Sequence, residues 1–370
     1  MKGNVLKISL ILVLAAVLLF QNSRSFAAPV QESSGNQAVD KGRDKKMGYC
    51  FDSVYDPVRK RLLVVAGYTG LHVFNVSDGK LEFVTTVYDE GYYRNIKVSG
   101  DRAYIADPFR GLTVFDISKQ IPILTWKWKG PETRTRGGGV SIKNNYAYLA
   151  VGNVEGESLT VKPGLHVFDV SKPDSPEQMG YCKTTDAWDV WVSGNYAYIA
   201  DLSDGLRVID ISDPRRPRET GGVAWDQKKS TAEILRSDGS NVYIAAGPVC
   251  SLVVVDVKDA NKPTVIGTFK SIEGACGEGL DVRDGWVYLA NGNLKHPEDS
   301  GLFIIDARKP KFLSVKGKLL FQGWVEGVYL LDHYAFIMNT DLGIRSIDIS
   351  DPENPRLVDH YGPINRRENK

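Results

Sequence analysis

Cysteine is scarce in this chain, which has 370 residues and four cysteines, none of them in a C-x-x-C pair. The absence of such a pair excludes the common structural zinc sites and the thioredoxin-like redox centres. Four cysteines in a chain of this length also exclude a small scaffold that depends on disulfides for its stability. Their positions are Cys50, Cys182, Cys250 and Cys276.

An excess of charge of either sign is missing too. Lysine and arginine number 46, aspartate and glutamate number 45, and the formal net charge is +1. Proteins that bind nucleic acid normally carry an obvious basic surface. We therefore expect no nucleic-acid partner.

Long apolar runs are absent except at residues 8–20. As a helix this run would rise about 20 Å, which is less than the roughly 30 Å of a bilayer core. It follows Lys2 and Lys7 and precedes small residues at 25 and 27, the pattern of a cleaved signal peptide. The sequence predicts a signal peptide over 1–27, a disordered leader over 28–46 and no transmembrane anchor after cleavage. The chain would then be exported to the periplasm, the cell surface or the extracellular space.

Helical periodicity is also missing, and a β-type repeat is present instead. The pattern GLxVxDxS, or a variant of it, begins at residues 70, 111, 164, 205, 251, 301 and 343. Two short runs of β-branched and aromatic residues precede each copy, and a proline commonly opens a further run after it. Four strands in about 45 residues, repeated seven times, predict an all-β fold, a seven-bladed β-propeller with four antiparallel strands per blade. A solenoid or a pair of sandwiches fits this period less well. We place the propeller at 47–363, with a tail at 364–370, and expect a monomer.

The tetrapeptide MGYC occurs at 47–50 and again at 179–182. The second copy falls in a fourth strand, so the first could be a strand that closes the ring by completing blade seven. The next inner strand follows Gly180 by ten residues at Val190 but follows Gly48 by only six at Val54. Six residues reach across three strand spacings only if they are nearly straight. We therefore expect the C-terminal run PRLVDHY to close the ring, and Cys50 and Cys182 to lie too far apart to bond.

The motif GLxVxDxSxPxxP, preceded by (A/V)Y(I/L)A, resembles the LVIVD-repeat family of exported bacterial and archaeal β-propellers. Residues 205–217 and 343–355 are the cleanest copies, and the resemblance extends over about 48–362. It implies a propeller that is exported to the periplasm or the cell surface. The family has no general catalytic signature, so the resemblance assigns no catalytic residue. Copies depart from the pattern at Ser251, at 307–308 and at 119–120.

An aspartate recurs near the end of the repeat motif. Because a short carboxylate can accept backbone N–H bonds, we expect these residues to hold the turn that follows. A residue present in nearly every blade is expected to be structural rather than catalytic. The positions are Asp116, Asp169, Asp210, Asp256, Asp306 and Asp348, with Asn75 in the first repeat.

Aligned inner strands predict a ring of polar side chains at one end of the channel, the mouth. Carboxylates there, opposite Arg94, could line a solvated channel, hold a cation such as Ca²⁺ or form a catalytic pair. A calcium site would use Asp52, Glu278 and Glu326. The first aligned level holds Asp52, Arg94, Gly138, Trp188, Ala232, Glu278 and Glu326. The second level holds Ser53, Asn95, Gly139, Asp189, Glu233, Gly279 and Gly327.

Insertions relative to the repeat length fall at 133–139, 153–163, 226–231 and 291–300. All four are predicted on the face that carries the mouth, where a rigid frame presents loops for binding. Trp188 and Trp324 flank the mouth as candidate anchors. His296 lies in one of these loops, and Cys250 and Cys276 are the one predicted disulfide pair on this face. The predicted binding residues are Arg94, Trp188, Asp189, Glu233, Glu278, His296, Trp324 and Glu326.

No G-x-S-x-G or H-E-x-x-H motif is present, and the glycines at 137–139 are not followed by a helix. We expect a binding or scaffold module that engages a protein or a surface polymer of the cell envelope, with no required cofactor. The alternatives are a lyase or hydrolase that uses mouth carboxylates, with or without Ca²⁺, and a purely structural surface protein.

Overall fold

A computed structural model describes residues 47–128, 138–153, 161–225, 230–248, 251–271, 275–293, 295–321 and 323–363. The predicted signal peptide, leader and C-terminal tail lie outside the described residues, as does Cys250. Within the described ranges, no helix has the length and apolar character needed to cross a membrane. The three helices there are short 3₁₀ segments at Pro297–Asp299, Pro310–Phe312 and Thr340–Leu342.

Twenty-eight strands form seven antiparallel sheets of four consecutive strands each. Blade 1 comprises β1 (Asp52–Asp56), β2 (Arg61–Val65), β3 (Leu71–Ser77) and β4 (Lys80–Val87). Blade 2 comprises β5 (Asn95–Ser99), β6 (Arg102–Asp107), β7 (Gly111–Asp116) and β8 (Ile123–Lys127). Blade 3 comprises β9 (Val140–Lys143), β10 (Tyr146–Val151), β11 (Gly164–Asp169) and β12 (Glu177–Lys183). Blade 4 comprises β13 (Asp189–Ser193), β14 (Tyr196–Ala200), β15 (Leu206–Asp210) and β16 (Arg218–Val223).

Blade 5 comprises β17 (Ser230–Ser237), β18 (Asn241–Pro248), β19 (Leu252–Asp256) and β20 (Thr264–Phe269). Blade 6 comprises β21 (Ala275–Arg283), β22 (Trp286–Asn293), β23 (Gly301–Asp306) and β24 (Ser314–Leu320). Blade 7 comprises β25 (Gly327–Leu331), β26 (Tyr334–Asn339), β27 (Gly343–Asp348) and β28 (Arg356–Tyr361). The first strand of each blade lines the centre and contacts the first strand of the blade on either side, including β1 beside β25. The predicted seven-bladed β-propeller is confirmed.

The ring closes with the C-terminal strand, as the spacing predicted. Blade 7 takes its fourth strand, β28, from its own repeat. Residues 47–50 form no strand, and the amide of Phe51 already donates to the carbonyl of Val65 in blade 1 at 3.0 Å. Blades 1 and 7 are joined by side chains instead, since Asp359 Oδ2 accepts the amide of Leu81 at 2.8 Å.

Two glycines stand where backbone segments approach each other closely. A Cβ atom on Gly343 would lie 2.1 Å from the carbonyl oxygen of Tyr361. The glycine at the start of the third strand therefore leaves space for the backbone at the end of the fourth strand. A Cβ atom on Gly180 would lie 2.1 Å from the carbonyl oxygen of Pro214 in the next blade. Gly48 instead faces the side chain of Thr69, at φ +77°. The two MGYC segments therefore use their glycines differently.

The motif aspartates hold turns, as predicted. In each of the six, Oδ1 accepts the backbone amide two residues later, at 2.7–3.1 Å. The donors are the amides of Ser118, Ser171, Ser212, Lys258, Arg308 and Ser350.

Apolar side chains fill the space between neighbouring blades, because each sheet is covered on both faces. Cys50 is buried between blades 1 and 7 with Leu62 and Phe336. Cys182 packs between blades 3 and 4, beside Ile209. The two cysteines occupy separate interfaces, in agreement with the expectation that they do not bond.

Candidate functional site

A small cavity opens at the mouth, where the inner strands begin. Its volume is about 40 Å³, enough for a few water molecules. Arg94 and Trp188, which immediately precede β5 and β13, line it together with the three glutamates at positions 233, 278 and 326. Six of the predicted binding residues are therefore brought together: Arg94, Trp188, Asp189, Glu233, Glu278 and Glu326.

The predicted levels were wrong in blades 1 and 5. Asp52 pairs with Val65 just as Asn95 pairs with Ala106, so Asp52 lies level with Asn95 rather than with Arg94. Phe51 takes the position beside Arg94. In blade 5 a register shift between Ala232 and Ile234 brings Glu233, not Ala232, to the cavity. A matching shift between Gly277 and Gly279 in blade 6 lets Glu278 reach the cavity, whereas β1 pairs with β2 without any shift. Alignment by residue type placed Asp52 and Ala232 one position away from where the strand pairing places them.

Asp52 joins two blades and is not part of the glutamate cluster. Its Oδ2 accepts hydrogen bonds from Asn95 Nδ2 at 2.7 Å and Lys97 Nζ at 3.2 Å. The same oxygen accepts the amide of Ile96 at 3.3 Å. In the part of the chain that the structure describes, no three His, Cys, Asp or Glu side chains are arranged to hold a metal ion. The calcium site at Asp52, Glu278 and Glu326 stays a prediction.

Asp189 has a similar role between blades 4 and 5, although it also lines the cavity. Its Oδ2 accepts the amide of Leu235 at 3.1 Å and lies 3.5 Å from Arg236 Nη1. Burial raises the pKa of Asp189, and the charge of Arg236 opposes that shift. Both partners lie in the next blade, so Asp189 stabilises the contact between blades 4 and 5.

Three glutamates from consecutive blades form the titratable part of the site. Burial raises the pKa of Glu278 well above its usual range, and the charges of Glu233 and Glu326 raise it further. Burial and these charges favour the protonated form of Glu278, which donates to Glu233, and Glu233 also accepts the Thr231 hydroxyl at 2.9 Å. Burial also raises the pKa of Glu326 to about 7. Two carboxyl groups that share a proton are chemically suited to general acid–base catalysis.

Arg94 faces this cluster from the opposite part of the ring. Its guanidinium lies 4.6 Å from the ring centroid of Trp188 and 5.1 Å from that of Phe51. Both distances are within the range of cation–π attraction. The positive charge of Arg94 opposes the burial-driven rise in the pKa of Glu326. The cavity thus combines hydrogen-bond donors, acceptors and aromatic faces.

A cluster of aromatic side chains extends from the cavity across blades 1 and 2; we call Phe51, Tyr68, Tyr92 and Phe109 the aromatic cluster. Tyr92 is at its centre, with ring centroids 5.6 Å from Phe51, 4.6 Å from Tyr68 and 5.5 Å from Phe109. Tyr68 is 61 % exposed. This cluster was not predicted from the sequence, although the sequence contains a sign of it. Tyr68 and Phe109 are aromatic residues in the turns just before the third strands of adjoining repeats.

The remaining predicted residues lie around this site. Trp324 packs against Gly292 and donates to Glu326. His296 lies in an exposed turn 3.5 Å from Glu298, outside the cavity. Burial raises the pKa of the Cys276 thiol. Its predicted partner Cys250 lies outside the described residues, so that pairing stays a prediction, and most of the insertions at 133–139 and 153–163 also lie outside them.

Three solved structures share the fold at low sequence identity. The computationally designed protein Ika8 is 11 % identical, with a TM-score of 0.59 over 86 % of this chain and 89 % of that one. A functionally unknown protein from Desulfotomaculum acetoxidans is 13 % identical, with a TM-score of 0.59 over 85 % and 96 %. Saccharomyces cerevisiae Sqt1 is 10 % identical, with a TM-score of 0.60 over 86 % of each chain. These likenesses concern the fold alone.

No curated protein matches the chain in sequence. The LVIVD repeat, in contrast, matches at residues 90–120, 137–184, 185–224 and 322–362. Those regions coincide with blades 2, 3, 4 and 7, including the two cleanest copies of the motif. The chain is a seven-bladed β-propeller in which the LVIVD repeat matches four of the blades.

Proposed function

We propose that the chain is an exported binding module that engages a protein or a surface polymer of the cell envelope through its mouth face. The observation that carries this proposal is the aromatic cluster, which continues at Phe51 into the stacked pair of Arg94 and Trp188. Export rests on the signal-peptide pattern of residues 1–27.

The composition of this surface favours binding. Tyrosine, tryptophan and arginine are the residues that most often dominate binding energy at interfaces, because they combine a large apolar area with a polar edge. Tyr68 exposes most of its ring to solvent, and Tyr92 beside it is half-buried. Apolar ring surface exposed to water, as on Tyr68, is costly, and a partner that covers it removes that cost.

Affinity capture from envelope extract tests the proposal, with residues 28–370 as bait. The variant Tyr68→Ala/Phe109→Ala should lose the captured partner. Phe312→Ala, which removes a 76 % exposed ring from the turn between β23 and β24, is the matched control and should retain it. Capture that survives protease treatment of the extract identifies a polymer, and capture that is lost identifies a protein. Equal capture by the double variant and the unaltered chain would overturn the proposal.

The second candidate is a lyase or hydrolase at the mouth, and the proton shared by Glu278 and Glu233 favours it. Hydrogen-bonded carboxyl groups are closer than the roughly 5–5.5 Å used by retaining glycosidases, so that reaction class fits least well. A substrate screen with and without Ca²⁺ tests this candidate, with Glu278→Gln as the inactive variant. Turnover that Glu278→Gln leaves unchanged would contradict it.

A further inference from the structure

One buried carboxylate connects the two segments that carry Tyr92 and Phe109 of the aromatic cluster. Asp107 ends β6 and is 1 % exposed. Its Oδ1 accepts the amide of Phe109, in the turn between β6 and β7, at 2.8 Å. Its Oδ2 accepts the amide of Tyr92, in the connector between blades 1 and 2, at 3.2 Å. The backbones under two rings of the cluster are thus tied to one side chain.

The ring contains an internal control for this arrangement. Asp201 occupies the matching place in blade 4, and the sequence AYIAD precedes both positions. Its two carboxylate oxygens accept the amides of Thr185 at 3.1 Å and Asp186 at 2.6 Å. Both aspartates therefore hold a connector between blades, Asp201 through two of its amides and Asp107 through one. Only the connector beside Asp107 carries a ring of the aromatic cluster.

We propose that Asp107 is a positioning residue for the aromatic cluster, and that the ionised carboxylate keeps Tyr92 and Phe109 in their binding arrangement. This inference rests on the proposed function, because it assigns the control of that same surface. A carboxylate accepts two amides through separate oxygens, whereas a protonated carboxyl retains one good acceptor oxygen. Protonation therefore weakens the support under at least one ring.

Burial of Asp107 places this change in a mildly acidic range. Burial raises the pKa of Asp107 to about 6, while its two amide donors and Arg110 oppose the rise and Asp89 adds to it. Asp89 is itself paired with Lys127 at 2.6 Å, and Arg110 also lies 3.9 Å from Glu90. The phenol of Tyr93 adjoins both aspartates and donates to Asp89. Desolvation thus outweighs the nearby cations.

Amide hydrogen exchange tests the inference without any ligand. Protection factors would be compared in the unaltered chain, Asp107→Asn, Asp107→Ala and Asp201→Asn at pH 7.5. Asp107→Asn should lower protection by about tenfold or more at Tyr92 or Phe109, since a bond to a charged acceptor is lost. Asp107→Ala should lower it at both. Neither Asp107 variant should change protection at Thr185 and Asp186. Asp201→Asn should lower protection at Thr185 or Asp186 and leave Tyr92 and Phe109 unchanged.

The pH dependence of amide protection at Tyr92 and Phe109 distinguishes a titrating positioning residue from a merely structural one. In the unaltered chain, protection at Tyr92 or Phe109 should fall between pH 7.5 and pH 5, and in Asp107→Asn it should be low at both. Capture of the envelope partner should follow the same profile. Unchanged protection in both Asp107 variants would overturn the inference. If the Asp107 variants lose amide protection but no chain captures an envelope partner, the proposed function is contradicted and the positioning role of Asp107 is retained.

Discussion

The carboxyl group of Glu278 donates a hydrogen bond to the carboxylate of Glu233, across the boundary between blades 6 and 5. Two like charges do not occupy this position together, since the cavity holds little water to screen them. One proton is therefore retained by the pair at neutral pH. The site is less negative than its three glutamates suggest, and Arg94 offsets much of what remains.

Glu233→Gln should lower the pKa of Glu326 from about 7, because the charge of Glu233 contributes to that rise after burial. Carboxyl carbon chemical shifts followed through a pH titration would measure the change. Glu219→Gln, on the outer strand of blade 4, is the control and should leave the value unaltered. An unchanged pKa in Glu233→Gln would mean that the two groups do not interact.

Glu326→Gln should stabilise the fold at pH 8 by about 1–3 kcal/mol. The pKa of Glu326 is raised on folding to about 7, so the native state binds its proton more tightly than the unfolded chain. Stability of the unaltered chain then falls as the pH rises from about 4 to 7, where ionisation is easier in the unfolded state. The advantage of glutamine should shrink towards pH 4. Urea unfolding at several pH values checks the sign, and a constant difference would refute it.

Gly180→Ala should destabilise the propeller by about 1–3 kcal/mol, because the new methyl group would meet the carbonyl of Pro214 in the next blade. Gly194→Asn is the control. Gly194 has φ +55° with nothing within 4 Å of its Cβ position, and Asn144 adopts φ 53° in the matching turn of blade 3. Thermal unfolding of the two variants should separate them clearly. Equal melting temperatures would show that the blades shift to accommodate the methyl group.

His72 should stay neutral at pH 5. Burial lowers its pKa to about 4, although its bond to the carbonyl of Met47 opposes the shift. A depressed histidine pKa contributes stability above about pH 6.5 that is lost as the pH falls to 4, here about 3 kcal/mol at most. Nitrogen shifts of the imidazole ring report its charge directly, with the exposed His296 as internal reference. A charged His72 ring at pH 5 would contradict this account.

The fold could be predicted largely from the repeat, because each motif residue has the same structural role in nearly every blade. Asp210 and Asp348 each accept the backbone amide two residues later and so stabilise the same turn. Gly205 and Gly343 each leave space for the backbone at the end of a fourth strand. The prediction of the levels failed in blade 1, where Asp52 lies level with Asn95, and in blade 5, where Glu233 rather than Ala232 reaches the cavity.

The candidate site was only partly predictable for a related reason. Arg94, Trp188 and the three glutamates sit at the same end of their strands, so alignment of the repeats brought them together. The aromatic cluster depends instead on how turns from two adjoining repeats meet. Tyr68 and Phe109 are 41 residues apart, and their proximity follows from packing between blades.

Closure by β28 has a consequence for how the molecule could be rearranged. Every blade is built from one continuous stretch of chain, so the boundary between the last and first blades involves no exchanged strand. That boundary is held as the others are, by apolar packing and side-chain bonds such as Asp359 to Leu81. Circular permutants with new termini between any two blades would keep all seven sheets whole, and the natural order of the repeats is one of seven equivalent starting points for the same ring.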